Sequence, residues 1–84
     1  MAELYNDTIN AKASSTDIEV TPNALFGLFT TAPCIVQDVV TIGENKVLAD
    51  IGKRTTKQSG PMVSGTGLIR ITARDADVVA VVTQ

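Results

Sequence analysis

The chain contains no histidine and no tryptophan, a single cysteine (Cys34), a single tyrosine (Tyr5) and only two phenylalanines (Phe26 and Phe29) among its 84 residues. Each shortage excludes something. One cysteine cannot close an intrachain disulfide, and zinc sites built from Cys and His ligands are ruled out. Cys34 has no histidine to act as its base, and its neighbours Pro33, Ile35 and Val36 are apolar, so it reads as a buried packing residue rather than a nucleophile. Without Trp, and with Tyr5 alone, the chain lacks stacking platforms for single-stranded nucleic acid. Its net charge of −2 is the opposite of the strongly basic surface that marks a general nucleic-acid binder. No apolar run reaches the roughly 18 residues of a membrane span, and Met1-Ala2-Glu3 opens without the basic and apolar segments of a secretory leader. The expected setting is the cytosol, or a larger object assembled there.

Size imposes the next constraint. Eighty-four residues make one domain, because two cores would each have too little interior. The first 16 residues are mostly polar, which leaves a folded unit of about 65 residues, and a core of that size supplies only about 3 to 5 kcal/mol. Such a unit needs reinforcement. With disulfides and Cys/His zinc sites excluded, self-association or docking remains.

What is present is organised in short β-prone runs. Residues 1–16 show neither a period of two nor a sustained period of 3.6 and read as a flexible N-terminal arm. A short helix would place Leu4, Tyr5, Thr8 and Ile9 on one face, although isolated helices this short are marginal in water. Fully extended, about 15 residues span roughly 50 Å. The body is expected over residues 17–84. Asp17-Ile18-Glu19-Val20-Thr21 alternates polar and apolar and stops at Pro22, as a half-exposed edge strand does. Residues 23–31 read as a strand or irregular apolar segment, with one helical turn as the alternative, and Phe26 and Phe29 are the expected core anchors. Cys34–Ile42 and Val47–Ile51 flank the polar turn Gly43-Glu44-Asn45-Lys46, predicting a hairpin with a bulge or exposed rim at Gln37 and Asp38. Residues 52–61, polar and bounded by turn residues, should project as a loop. The C-terminal runs Leu68–Ala73 and Val78–Thr83, separated by Arg74-Asp75-Ala76-Asp77, predict a second hairpin. Recurrent short strands with turns between them indicate an all-β fold, a small antiparallel β-sandwich or barrel.

The last run is apolar on both faces. One row, Val78-Ala80-Val82 or Val79-Val81, should close the core and the other should meet a partner; Val79 and Val81 are the candidates for the partner side. Charge is unevenly distributed. Glu3, Asp7, Asp17 and Glu19 make the first 20 residues acidic, whereas Lys46, Lys53, Arg54, Lys57, Arg70 and Arg74 make the second half mildly basic.

No motif carries a reaction. Gly52-Lys53-Arg54-Thr55 lacks the hydroxyl directly after Lys, and the Gly five positions earlier, that a phosphate-binding loop requires. Gly65-Thr66-Gly67 precedes a strand rather than a helix, so it offers no helix N-terminus to a phosphate. Asp75 and Asp77 read as turn residues. No catalytic residue, cofactor or metal is expected, and the chain is not expected to be an enzyme. The basic cluster Lys53, Arg54 and Lys57 reads first as a solvated loop, with contact to an acidic partner surface or a phosphate as the alternative.

A short polar arm (1–16), a compact β-body (17–84) and a last strand with two apolar faces together resemble, in layout, the small virion proteins of tailed bacteriophages of the head decoration or cement type. The resemblance implies a β-rich knob seated on an assembled capsid in the virion after synthesis in the host cytoplasm. It further implies a homo-oligomer, dimer or trimer, with another virion protein as partner and the arm as its grip. In this reading Leu4, Tyr5 and Ile9 fill pockets on the shell as the arm adds a strand to an exposed edge. The alternative function is a small soluble β-domain that binds a polyanion or an acidic protein through the 53–57 loop.

Overall fold

The computed structural model describes residues 2–84. Its elements are all strands: β1 (Glu3–Ile9), β2 (Ile18–Glu19), β3 (Leu25–Thr30), β4 (Cys34–Ile42), β5 (Asn45–Asp50), β6 (Ser59–Val63), β7 (Leu68–Ala73) and β8 (Val78–Thr83). They form two four-stranded antiparallel sheets, ordered β1-β8-β3-β6 and β2-β7-β4-β5. The all-β sandwich expected from the strand spacing is the fold. Apart from the β4–β5 hairpin, each connection carries the chain from one sheet to the other.

Alternation dictates which side chains meet between the sheets. Phe26 and Leu28 of β3, Val78, Ala80 and Val82 of β8 and Ile9 of β1 face Ile69, Ile71 and Ala73 of β7, Cys34 and Val36 of β4, and Ile18. Val20, just beyond β2, joins the same cluster. The Val78-Ala80-Val82 row therefore closes the core, and Val79 and Val81 face outward.

Four expectations are corrected. Residues 68–83 are not a hairpin: β7 pairs with β2 and β4, and β8 pairs with β1 and β3. Residues 74–77 cross between the sheets instead. A hairpin would have placed both strongly apolar inner rows on one sheet; splitting them sets Ile69 and Ile71 against Val78, Ala80 and Val82 across the core, burying both rows at once.

The N-terminal arm is not free. β1 pairs with β8 from Glu3↔Thr83 to Ile9↔Val78. After a turn in which Ala13 N donates to Asn10 O, the chain runs along β7, with Ser15 N donating to Ile71 O at 2.7 Å and Ala73 N to Ala13 O at 2.9 Å. Asp77 accepts from Ala11 N at 2.8 Å, and Ala2 and Gln84 exchange two backbone hydrogen bonds. The polar sequence misled because β1 is an edge strand whose even-numbered residues Asn6 and Thr8 lie beside outward-facing Val81 and Val79. Its apolar residue Ile9 sits in the core.

Phe29 is not a core anchor. β3 sends Phe26, Leu28 and Thr30 inward, so Phe29, of opposite parity, faces out and is 47% exposed. Finally, Asp38 is neither bulged nor at a rim. It is buried, pairs in register with Ile69 and Ala49, and accepts Ser64 Oγ at 2.6 Å and Gly65 N at 3.0 Å. A carboxylate can lie on the inner row because the β6–β7 turn supplies its donors.

Candidate functional site

The outer face of the β1-β8-β3-β6 sheet carries a cluster of exposed apolar side chains, Leu25, Phe29, Val63 and Val79. Pairing register places Asn6, Val81, Phe29 and Ser59 in one cross-strand row. A second row holds Glu3, Thr83, Gly27 and Pro61, while Leu25 stands opposite Val63 and Thr8 opposite Val79. Leu25 is 65% exposed, Val63 46% and Val79 40%. These side chains cover the middle and the β6 side of the sheet without a charged group among them, and Glu3 stands at the β1 margin.

A notch runs through the centre of this face. Gly27 carries no side chain, and an added Cβ there would fall 2.7 Å from Thr83 Oγ1 and 3.3 Å from Phe29 Cε2. The missing side chain leaves a shallow apolar groove of about 280 Å³ lined by Leu25, Gly27, Phe29, Gly60, Pro61 and Thr83. Pro61 suits this place because an edge strand tolerates its missing N–H. Against the expectation of a loop through residue 61, Ser59–Val63 is that edge strand.

The residues singled out from sequence are scattered by the fold. Val79 and Val81 lie on the outer face, where a partner can reach them. Leu4 is exposed at a bulge in β1, between Glu3 and Tyr5. Tyr5 is half-buried against the core, and Ile9 is 3% exposed within it. Those two cannot fill pockets on another protein, which corrects the arm-grip reading. Burial, with the Asp7 carboxylate adding to it, pushes the Tyr5 hydroxyl above its ordinary pKa.

Lys53, Arg54 and Lys57 are exposed in the loop between β5 and β6. Arg54 is not a free cation. Its Nε and Nη2 donate to both Asp50 oxygens, and Gln37 Nε2 donates to the same carboxylate at 2.9 Å. The Arg54 hydrogen bonds, then the Gln37 bond, hold the Asp50 carboxyl below its ordinary value, while Asp50 pushes the Arg54 guanidinium up. Arg74 Nη1 donates to Arg54 O at 2.8 Å, so the loop is tied to the β7–β8 crossing.

On the other sheet, Asp17 accepts from Arg70 Nε at 2.9 Å and from Lys46 Nζ at 3.2 Å. The Arg70 hydrogen bond is the largest cause of an Asp17 carboxyl held below its ordinary range. Cys34 is fully buried and burial pushes its thiol up, partly offset by the Thr30 hydroxyl 3.8 Å away, so it is poorly suited to nucleophilic attack.

Sequence reasoning missed Leu25, Phe29, Pro61 and Val63. The signal was available in Leu25-Phe26-Gly27-Leu28-Phe29: once the run is a strand, period two puts Leu25 and Phe29 on the face opposite Phe26 and Leu28. The pairing of that face with Pro61 and Val63 is a long-range fact that no local pattern contains. Comparison of the chain with protein-family models, curated proteins and solved structures finds no match.

Proposed function

We propose that the protein is a non-enzymatic structural binding protein that seats on a larger assembly through the outer face of its β1-β8-β3-β6 sheet. A virion shell, of the kind served by decoration or cement proteins, is the assembly this reading favours. The observation that carries it is the uncharged apolar face formed by Leu25, Phe29, Pro61, Val63 and Val79. Contiguous exposed apolar area of this kind marks an interaction surface on a small soluble domain. Aromatic and branched side chains around a notch can act as the anchors of such a contact, and many copies on one lattice would multiply a weak contact by effective concentration.

The Asp50–Arg54 pairing disfavours the alternative, polyanion binding through the 53–57 loop, since it leaves Lys53 and Lys57 as that loop's uncompensated cations. The deciding experiment is co-sedimentation of the purified protein with tailed-phage capsid shells assembled from purified major capsid protein. Wild type should pellet with the shells, and a Phe29→Ser/Val63→Ser variant with an unchanged circular dichroism spectrum should not. Equal pelleting of the two would overturn the reading. Pelleting that disappears in high salt and in Lys53→Gln/Lys57→Gln would transfer it to the loop.

A further inference from the structure

The sandwich has four sheet edges, β1 and β6 on one sheet and β2 and β5 on the other. An edge strand presents unpaired N–H and C=O groups, and monomeric proteins usually blunt such edges. Three of the four are blunted here. β1 has its bulge between Glu3 and Tyr5, β6 contains Pro61 beside Gly60 at φ 148°, and β2 is two residues long. β5 carries neither Pro nor bulge, its pairing with β4 is continuous from Gln37↔Asp50 to Ile42↔Asn45, and all its residues are exposed; its one guard is charge, Lys46 and Asp50, which are of opposite sign.

The phase of its free backbone groups can be derived. Gly43, at φ 62°, and Glu44 are the two central residues of the β4–β5 turn, and Ile42 and Asn45 close it. The closing residues of a two-residue hairpin exchange hydrogen bonds, and bonded pairs recur at every second residue along an antiparallel ladder. Ile51 N donates to Val36 O at 3.0 Å at the far end, in the same phase. Asn45, Val47 and Ala49 therefore point their N–H and C=O groups at β4. Lys46, Leu48 and Asp50 point theirs outward.

We propose that a second copy of this chain adds to β5, antiparallel, about a two-fold axis at Leu48, joining two β2-β7-β4-β5 sheets into one continuous sheet. Backbone phase and charge select this register. Outward-pointing residues must face one another, so Lys46 can stand opposite Asp50, Leu48 or Gly52 of the second copy, among nearby registers. Opposite Leu48, Lys46 gains no charge partner and Glu44 is set against Asp50. Opposite Gly52, Lys46 and Asp50 both lose a charge partner, and the opposite charges brought together are Glu44 of the turn and Arg54, which is already bonded to Asp50. Opposite Asp50, each copy contributes one Lys46 and one Asp50 to two cross-strand ion pairs flanking a central Leu48–Leu48 contact. Each facing pair also exchanges two backbone hydrogen bonds.

Both ions retain the capacity for this. The Lys46 ammonium has three donors, of which Asp17 takes one, and Gln37 and Arg54 leave one of the roughly four acceptor sites on the Asp50 carboxylate. The proposal is independent of what the outer face of the other sheet binds, because its test needs only the purified protein.

Sedimentation velocity over rising concentration should show a monomer–dimer equilibrium. Leu48→Pro should abolish the dimer, because it removes an N–H that the monomer does not use. Lys46→Glu should weaken the dimer about tenfold by setting like charges opposite each other, and Lys46→Glu/Asp50→Lys should restore it. Leu48→Cys should oxidise to a disulfide dimer, since facing bonded residues lie about 5.5 Å apart between Cα atoms, within disulfide range. Asn45→Cys should not, because its two copies would lie about 20 Å apart along the strands. If Leu48→Pro fails to fold, the charge-swap series and the cysteine pair decide by themselves. A chain monomeric at millimolar concentration, or a dimer indifferent to Lys46→Glu and lost instead in Phe29→Ser, overturns the proposal.

Discussion

Phe29 lies beside Gly27 on the outer face of its strand, so close that a Cβ on Gly27 would stand 3.3 Å from Phe29 Cε2. The same Cβ would stand 2.7 Å from Thr83 Oγ1, so the groove owes its depth to the missing side chain. Gly27→Val should fill it: the Thr83 hydroxyl and the Phe29 ring must both move aside. Shell binding should fall at least as far as in Phe29→Ser. Stability should change by no more than about 1 to 2 kcal/mol, because relief of the glycine entropy cost opposes the crowding. Chemical denaturation and co-sedimentation of the same preparation separate the two effects.

The first strand is part of the folded unit. Ile9→Ala removes a core side chain opposite Val78 and should lower unfolding free energy by about 2 to 4 kcal/mol, read as a shift in urea midpoint at constant slope. Deleting residues 2–9 should do more, since it strips the edge from β8, and should abolish cooperative unfolding. A free arm would instead be removable without change in the melting curve.

Asp38 depends on the turn that follows β6. Ser64→Ala removes the donor at 2.6 Å from a buried carboxylate, and with it the hydroxyl that accepts Gly67 N at 3.0 Å. The expected cost is about 1.5 to 3 kcal/mol, as for hydrogen bonds to charged groups. Ser64→Thr, which retains the hydroxyl, should recover most of it in the same denaturation assay.

The Asp17 cluster should shape the acid limb of stability. Arg70, with Lys46, holds the folded-state Asp17 carboxyl below its ordinary value, so the unfolded chain takes up the proton first. The contribution is fully present above the unfolded-state value of about 3.9 and is lost as pH falls through the lower folded value. Arg70→Gln should therefore flatten the dependence of melting temperature on pH below about 4 and leave the slope between pH 5 and 7 unchanged. An identical acid limb in wild type and variant would contradict this.

Residue patterns were most informative where the period of two stood alone. The β4–β5 hairpin and the existence of β8 as a strand with two apolar rows follow from alternating or continuous β-branched runs bounded by turn residues. Reading failed where pairing partners were distant. Nothing local distinguishes a polar arm from a polar edge strand; what makes Glu3–Ile9 a strand is the open edge of β8, some 70 residues away. The apolar outer face was hidden for the same reason, because Phe29 belongs to it only once parity along β3 and pairing with β6 are both known.

By itself, then, the sequence determined the class and its limits: one small all-β domain, a buried thiol, no Cys/His zinc site and no internal disulfide, with β8 apolar on both sides. These follow from composition and from side-chain periodicity, which are local properties. Tertiary structure alone decided that β7 and β8 belong to different sheets, that residues 2–16 are built into them, which β8 row is outermost, and that β5 is left as an edge guarded by charge alone. Each of those depends on which strands exchange backbone hydrogen bonds. Every strand offers the same N–H and C=O groups to any neighbour, so partner choice is settled by joint burial of side chains far apart in the chain rather than by any single run of residues.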